Sequence, residues 1–156
     1  MSQPAVTIRN AHAGEGVALS ALMLRSKAYW GYDDAFLEKC REVLVIPETM
    51  IATGDVLVAE LEGTIVGVAA VTDEPPEVEL DVCFVDPSAI GAGVGRVLVD
   101  AAKSLARTTG ARTMRVQSDP NAEAFYARLG AVRIGEMPSD IDPNRPLPLL
   151  LFDLAE

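Results

Sequence analysis

Val85-Asp86-Pro87-Ser88-Ala89-Ile90-Gly91-Ala92-Gly93-Val94-Gly95-Arg96 decides how the chain folds. Before it, Glu77 to Phe84 alternates like a strand; after it, Val94, Val97, Leu98, Ala101, Ala102 and Leu105 recur at helical spacing. Strand, glycine-rich turn and helix follow in that order. Gly91, Gly93 and Gly95 free the backbone to expose consecutive N–H groups, and the new helix adds unpaired N–H groups and the positive end of its dipole. Such a turn cradles phosphate, although alone it also fits a plain strand-to-helix connection.

Two common nucleotide loops do not match. A Walker A loop ends in Gly-Lys-Ser/Thr, whereas Arg96-Val97 follows Gly95. The dinucleotide fingerprint needs glycine at its sixth position, where Arg96 stands, and the next strand, Arg112 to Val116, lacks its acidic residue. What remains is V-x-P-x-x-x-G-x-G-x-G opening a helix. This resembles the phosphate loop of the GNAT superfamily of acyl-CoA-dependent N-acyltransferases, with Ile90 where the family pattern has Gln or Arg. The resemblance implies that Ile90, Gly91, Ala92, Gly93, Val94, Gly95 and Arg96 hold the pyrophosphate of acetyl-CoA.

A second segment, Asp119-Pro120-Asn121-Ala122-Glu123-Ala124-Phe125-Tyr126-Ala127-Arg128-Leu129-Gly130-Ala131, resembles the family's N-x-x-A-x-x-F-Y-x-x-x-G-F, with alanine for the final aromatic. Pro120 suits a first helical turn and Gly130 ends a short helix. Two such motifs in the right order separate the family from a chance match. The implied fold is α/β (α+β-like), one GNAT-type domain over 1–156, with a mixed sheet of about six to seven strands and about four flanking helices. In the family the fourth strand bulges and pairs with the pantetheine arm, which falls here on Phe84 and Val85. Asn121 is carried over as a further cofactor contact.

The 156 residues fit one core, and 49% are apolar with no low-complexity tract. Thirteen basic against 23 acidic residues leave a formal charge of −10, which disfavours nucleic acid and anionic membrane as partners. An anionic cofactor then needs a locally positive site, for which Arg96, Lys103 and Arg107 are candidates, unless they form a solvated helix face. Met1-Ser2-Gln3-Pro4 lacks the pattern of a secretory leader, so a cytoplasmic location is expected. Cys40 and Cys83 are too few for a disulfide framework and read as reduced core residues, and no Cys/His cluster has metal-ligand spacing.

Along the rest of the chain, Val6 to Arg9 reads as a strand, and Gly14 to Ala28 as a helix with an apolar stripe of Val17, Ala21, Leu24 and Ala28. A second helix starts at the cap candidate Asp33 and ends before Pro47. Between them sit Trp30 and Tyr32, read as walls of a substrate pocket or as a buried hinge plug. Asp55 to Leu61 and Thr64 to Thr72 form a hairpin about Glu62-Gly63. Glu77, Glu79 and Asp81 alternate with Val78, Leu80 and Val82, and the alternation slips at Cys83-Phe84-Val85, where a β-bulge is expected. Strands follow at Thr113 to Ser118, Val132 to Glu136 and Leu149 to Leu154, the last two joined by a proline-rich excursion carrying Arg145.

Acyl transfer from a thioester to an amine needs a base, a polarised carbonyl and a stabilised leaving thiolate. His12 is the sole histidine, so a histidine triad has little support. The family resemblance places Tyr126 as proton donor to the thiolate. Glu79 is read as the base with Asp81 as the alternative, and both equally suit binding a cationic acceptor. Arg145 is read as a clamp for a substrate carboxylate. The function expected is direct transfer from acetyl-CoA to a primary amine of a small molecule or a protein; the alternative is a non-catalytic acyl-CoA sensor or interaction domain. Oligomeric state is not legible, which leaves a homodimer open.

Overall fold

A computed structural model describes residues 5–155; Met1 to Pro4, read above for a leader, lies outside them. Seven strands form one sheet: β1 (Val6–Asn10), β2 (Val56–Leu61), β3 (Thr64–Thr72), β4 (Glu77–Val85), β5 (Thr113–Gln117), β6 (Val132–Pro138) and β7 (Pro146–Asp153), in the order β1-β2-β3-β4-β5-β7-β6. Five α-helices accompany them among the described residues: α1 (Gly16–Ala28), α2 (Asp34–Val43), α3 (Glu48–Ala52), α4 (Val94–Thr108) and α5 (Glu123–Arg128), with short 3-10 turns at Pro87–Ala89 and Pro120–Ala122. The expected mixed sheet is present, and α3, which Pro47 caps, is an addition. None of these helices is long and apolar enough to cross a membrane.

Local chemistry accounts for most boundaries. Glu62 and Gly63 both adopt positive φ, at 52° and 80°, as a two-residue hairpin with right-handed strand twist demands. The Asp33 carboxylate accepts from the Phe36 N–H at 2.8 Å and starts α2. Gly110, at φ 93°, ends α4.

The stripe expected on α1 faces the wrong way. Leu19, Leu22, Met23 and Lys27 are buried, whereas Val17 is 84% exposed and Ala21 and Ala28 lie on the surface. Both faces of α1 carry apolar residues, so periodicity could not choose between them. The inner face packs with Val56, Val58, Val68 and Val82 on one side of the sheet. On the other side α4 lays Val94, Leu98, Val99, Ala102 and Ala106 against Val78, Leu80, Met114 and Phe152.

The bulge in β4 also differs from expectation. Ala70 pairs with Val82 and Val71 with Leu80, so Asp81 is the extra residue, ahead of Cys83-Phe84-Val85. The insertion turns Val82 and Phe84 toward the α1 side while Val78 and Leu80 face α4, although 80 and 82 share parity. Parallel pairing of β4 with β5 spans Glu77↔Thr113 to Glu79↔Arg115 and stops there. Beyond Glu79 the strands separate, and the gap is the head of a cleft of about 760 Å³.

Gly67 of β3 marks a close approach of α4: a Cβ there would lie 2.7 Å from Leu98 Cδ1 and 2.9 Å from Val94 Cγ1. Gly67→Val should therefore overpack this interface and lower stability by about 1–3 kcal/mol. Urea unfolding followed by circular dichroism should show a lower midpoint at unchanged slope, and an unaltered midpoint would show that α4 can lift off the sheet without cost.

Candidate active site

The glycine turn opens on the cleft. Gly91 and Gly93 hold φ of 89° and 80°, and a Cβ on either would meet nothing within 4 Å. Gly93 is the residue before α4, and no side chain caps that helix end. Its first-turn N–H groups are thus available to an anion. Asp86 accepts from Ser88 N–H at 3.0 Å and pairs with Arg25 at 2.7 Å, which ties the turn to α1. Of the three cations expected to offset the acidic surface, Arg96 lines the cleft. Lys103 instead donates to the Leu129 carbonyl and Arg107 to the Leu154 carbonyl.

Of the sequence-derived cofactor residues, Phe84, Val85, Ile90, Gly91, Gly93, Val94, Gly95, Arg96 and Asn121 line the cleft, and Ala92 does not. Phe84 and Val85 pair with β3 on one side and have no β5 partner on the other. Their free backbone edge can accept an extended chain as an added strand.

Glu79 and Asp81 lie where the strands part. Arg115 Nε donates to Glu79 Oε1 at 3.0 Å, while the other guanidinium nitrogens bind Glu77 at 2.6 Å and Asp73. Gln117 Nε2 reaches the same Glu79 oxygen at 3.5 Å. Loss of solvation raises the Glu79 pKa above its ordinary 4.5 against the pull of Arg115. Loss of solvation, with the charges of Asp73 and Asp140, also raises that of Asp81, although the residue reaches the surface. Arg115 was not legible as a site residue, because only the parallel register with β4 places it beside Glu79.

Tyr126 is buried at 5% exposure yet lines the cleft, with Cys83 beside it. Burial is the main reason that the tyrosine titrates well above 10, and burial likewise pushes Cys83 up to about 11. Both keep their protons at neutral pH. Cys83, expected in the core, packs against it and also lines the cleft.

The three residues read as substrate contacts separate. Trp30 is half-exposed on the cleft, edge-on to Tyr29 at 5.2 Å between ring centres. Tyr32 does not line it; its hydroxyl donates to Asp119 at 2.9 Å and accepts from Asn121 at 3.0 Å and from Arg145. Arg145 lines the cleft but also pairs with Asp119 at 3.3 Å. Lys27 completes this network at 2.5 Å from Asp119. Nothing local in the sequence singles it out, because it continues the stripe Leu19-Met23-Lys27, four residues apart, on a helix with apolar residues on both faces.

A family model described as an acetyltransferase (GNAT) domain matches residues 12–139. The chain belongs to the GNAT acetyltransferase family. Among solved structures, a GCN5-related N-acetyltransferase from Rhodopseudomonas palustris is similar at TM-score 0.77 and 24% identity, over 98% of this chain and 97% of that one. The PaiA N-acetyltransferase from Thermoplasma acidophilum, solved with coenzyme A, has TM-score 0.76 and 16% identity, over 96% and 99%. N-acetylglutamate synthase from Neisseria gonorrhoeae, solved with coenzyme A and N-acetyl-glutamate, has TM-score 0.73 and 21% identity, over 99% of this chain and 36% of that one. No curated protein sequence matches.

As a GNAT acetyltransferase the protein is an acyltransferase whose cofactor is acetyl-CoA. The turn fits that cofactor: two open positive-φ glycines, an uncapped 15-residue helix and Arg96 supply donors and charge for a pyrophosphate. Gly93→Asp keeps a residue type that tolerates the left-handed conformation but brings a negative charge to these donors. By calorimetry it should bind CoA at least tenfold more weakly than Gly93→Asn, which has the same shape without the charge. Equal affinities for the two variants would remove the turn from the phosphate site.

Proposed function

We propose that this GNAT acetyltransferase moves the acetyl group of acetyl-CoA directly to a primary amine. The observation that carries this reading is the carboxylate pair Glu79 and Asp81, with raised pKa values, at the point where β4 leaves β5. An acceptor ammonium must lose a proton before it attacks, and carboxylates with raised pKa are stronger bases than solvated ones. Glu79, oriented by Arg115 on one oxygen, takes the proton, with Asp81 beside it.

When bound, acetyl-CoA supplies the thioester carbonyl as electrophile and a thiolate as leaving group. The Tyr126 hydroxyl serves that leaving group differently from the family expectation. A phenol titrating well above 10 does not transfer its proton fully to a thiolate whose conjugate acid has a pKa near ~8.5. It stays protonated and donates a hydrogen bond to the developing charge. The backbone edge of Phe84 and Val85 orients the thioester arm, and the turn from Ile90 to Arg96, with Asn121 also on the cleft, anchors the rest of the cofactor.

Two outcomes follow in thiol-release assays with an amine panel. Tyr126→Phe should lower kcat by roughly 10²–10³, the scale for loss of one preorganised donor, with CoA affinity retained; an unchanged kcat would show that sulfur leaves without it.

The second concerns pH. Glu79 must be ionised to accept a proton, so kcat/KM should fall as pH drops through its raised pKa, above 4.5. Glu79→Gln should lower kcat by roughly 10²–10⁴ and abolish that acid limb. If the limb persists in Glu79→Gln and vanishes in Asp81→Asn, the two carboxylates exchange roles.

A further inference from the structure

The network around Asp119 carries an unbalanced charge. Lys27 and Arg145 both point at this one carboxylate, at 2.5 and 3.3 Å, and among the described residues neither has another carboxylate partner. Their side chains are 9% and 20% exposed, and that of Asp119 is 15%. Tyr32, pushed up to about 12 mainly by burial, adds no negative charge, and Asp119, held near 2 by Lys27 against the effect of its burial, supplies one. Two cations against one anion leave a largely desolvated site at +1, within a chain of net charge −10. The Tyr32 and Phe36 rings lie 4.9 to 5.9 Å from the cationic groups, which cushions them without neutralising either. A network that served only packing would balance, because an uncompensated buried charge is costly.

Unused donors remain as well. Lys27 spends one of its three N–H groups on Asp119, and Arg145 uses Nη2 for Tyr32 and Asp119, which leaves Nε and Nη1. Lys27 and Arg145 line the same cleft as Glu79 and Asp81. The cleft therefore offers both carboxylates and surplus cations.

We propose that the acceptor is a free amino acid, whose ammonium meets Glu79 and Asp81 and whose carboxylate is read by Lys27 and Arg145. This rests on the acetyl-transfer reading above and names its substrate class. A guanidinium with free nitrogens beside an ammonium suits a carboxylate, and an amine without one leaves the +1 charge uncompensated.

The test is thiol release from acetyl-CoA with L-alanine, L-methionine, L-phenylalanine and L-glutamate, each set against its own α-carboxamide. Acids should exceed amides in kcat/KM at least tenfold. Arg145→Gln should cut that ratio at least tenfold, chiefly through KM, and Arg145→Lys should restore part of it. Equal rates for acids and amides in the parent protein overturn the proposal whether or not any variant folds. So does a folded Arg145→Gln with the parent ratio, a loss of CoA affinity by calorimetry in place of the lost ratio, or faster reaction of peptides bearing free N-termini. If no amine reacts, transfer to small amines is refuted separately. The carboxylate subsite is then judged by thermal midpoint with CoA present: N-acetyl-amino acids that raise it where their amides do not support the subsite, and an absent shift overturns it.

Discussion

The site depends on two strands that pair for three residues and then stop. Through Glu79↔Arg115 the parallel ladder of β4 and β5 is regular, and the extra residue Asp81 then turns β4 out of register with β3 and away from β5. Buried backbone groups must find partners. The edge from Val82 to Val85 therefore either stays wet or pairs with something that enters the gap, and the gap is where the cleft lies. One inserted residue thus produces the opening, the unpaired edge and the exposed carboxylate at their junction.

Arg115 is the counterpart of that opening. Its guanidinium gathers Asp73, Glu77 and Glu79 at the last paired position, where three carboxylates would otherwise repel. Much of this cluster is solvent-exposed, so its contribution to stability is small. Its effect on Glu79 is larger, since the one side chain sheltered from water is also the one held in place on a single oxygen. Positioning and basicity act against each other here, as burial raises the pKa while Arg115 lowers it, and burial prevails.

Turn chemistry and the two motifs were legible in the sequence because they rest on local constraints. Asp33, Glu62-Gly63, Gly93 and Gly110 each act within a few residues of themselves. What was not legible depends on which elements become neighbours. Arg115 becomes a site residue through a parallel register, and Lys27 through the choice between two apolar faces of α1. The bulge shows in the sequence as a lost alternation only at Cys83-Phe84-Val85, past the inserted Asp81, because side chains beyond the insertion, such as Val82, keep their sequence parity while changing faces. Tyr32 was read from its aromatic tip, whereas the structure spends that tip on Asp119, Asn121 and Arg145.

The two motifs also prove to be one physical unit. Gly95, unlike Gly91 and Gly93, needs no positive φ; a Cβ there would lie 2.9 Å from Phe125 Cζ. The third glycine of the turn therefore serves packing: it lets the first ring of the Phe125-Tyr126 pair lie against the start of α4. Phe125 and Tyr126 stand edge-on at 5.1 Å, and Tyr126 meets Phe152 of β7 at 6.3 Å, so the hydroxyl beside Cys83 is set by a stack that begins at the phosphate turn. A larger residue at 95 would displace the ring and, through it, Tyr126. The spacing of both motifs follows from this contact, since a turn that presents N–H groups to a phosphate and a tyrosine that serves the leaving sulfur must keep a fixed separation, and Gly95 against Phe125 is the joint that maintains it.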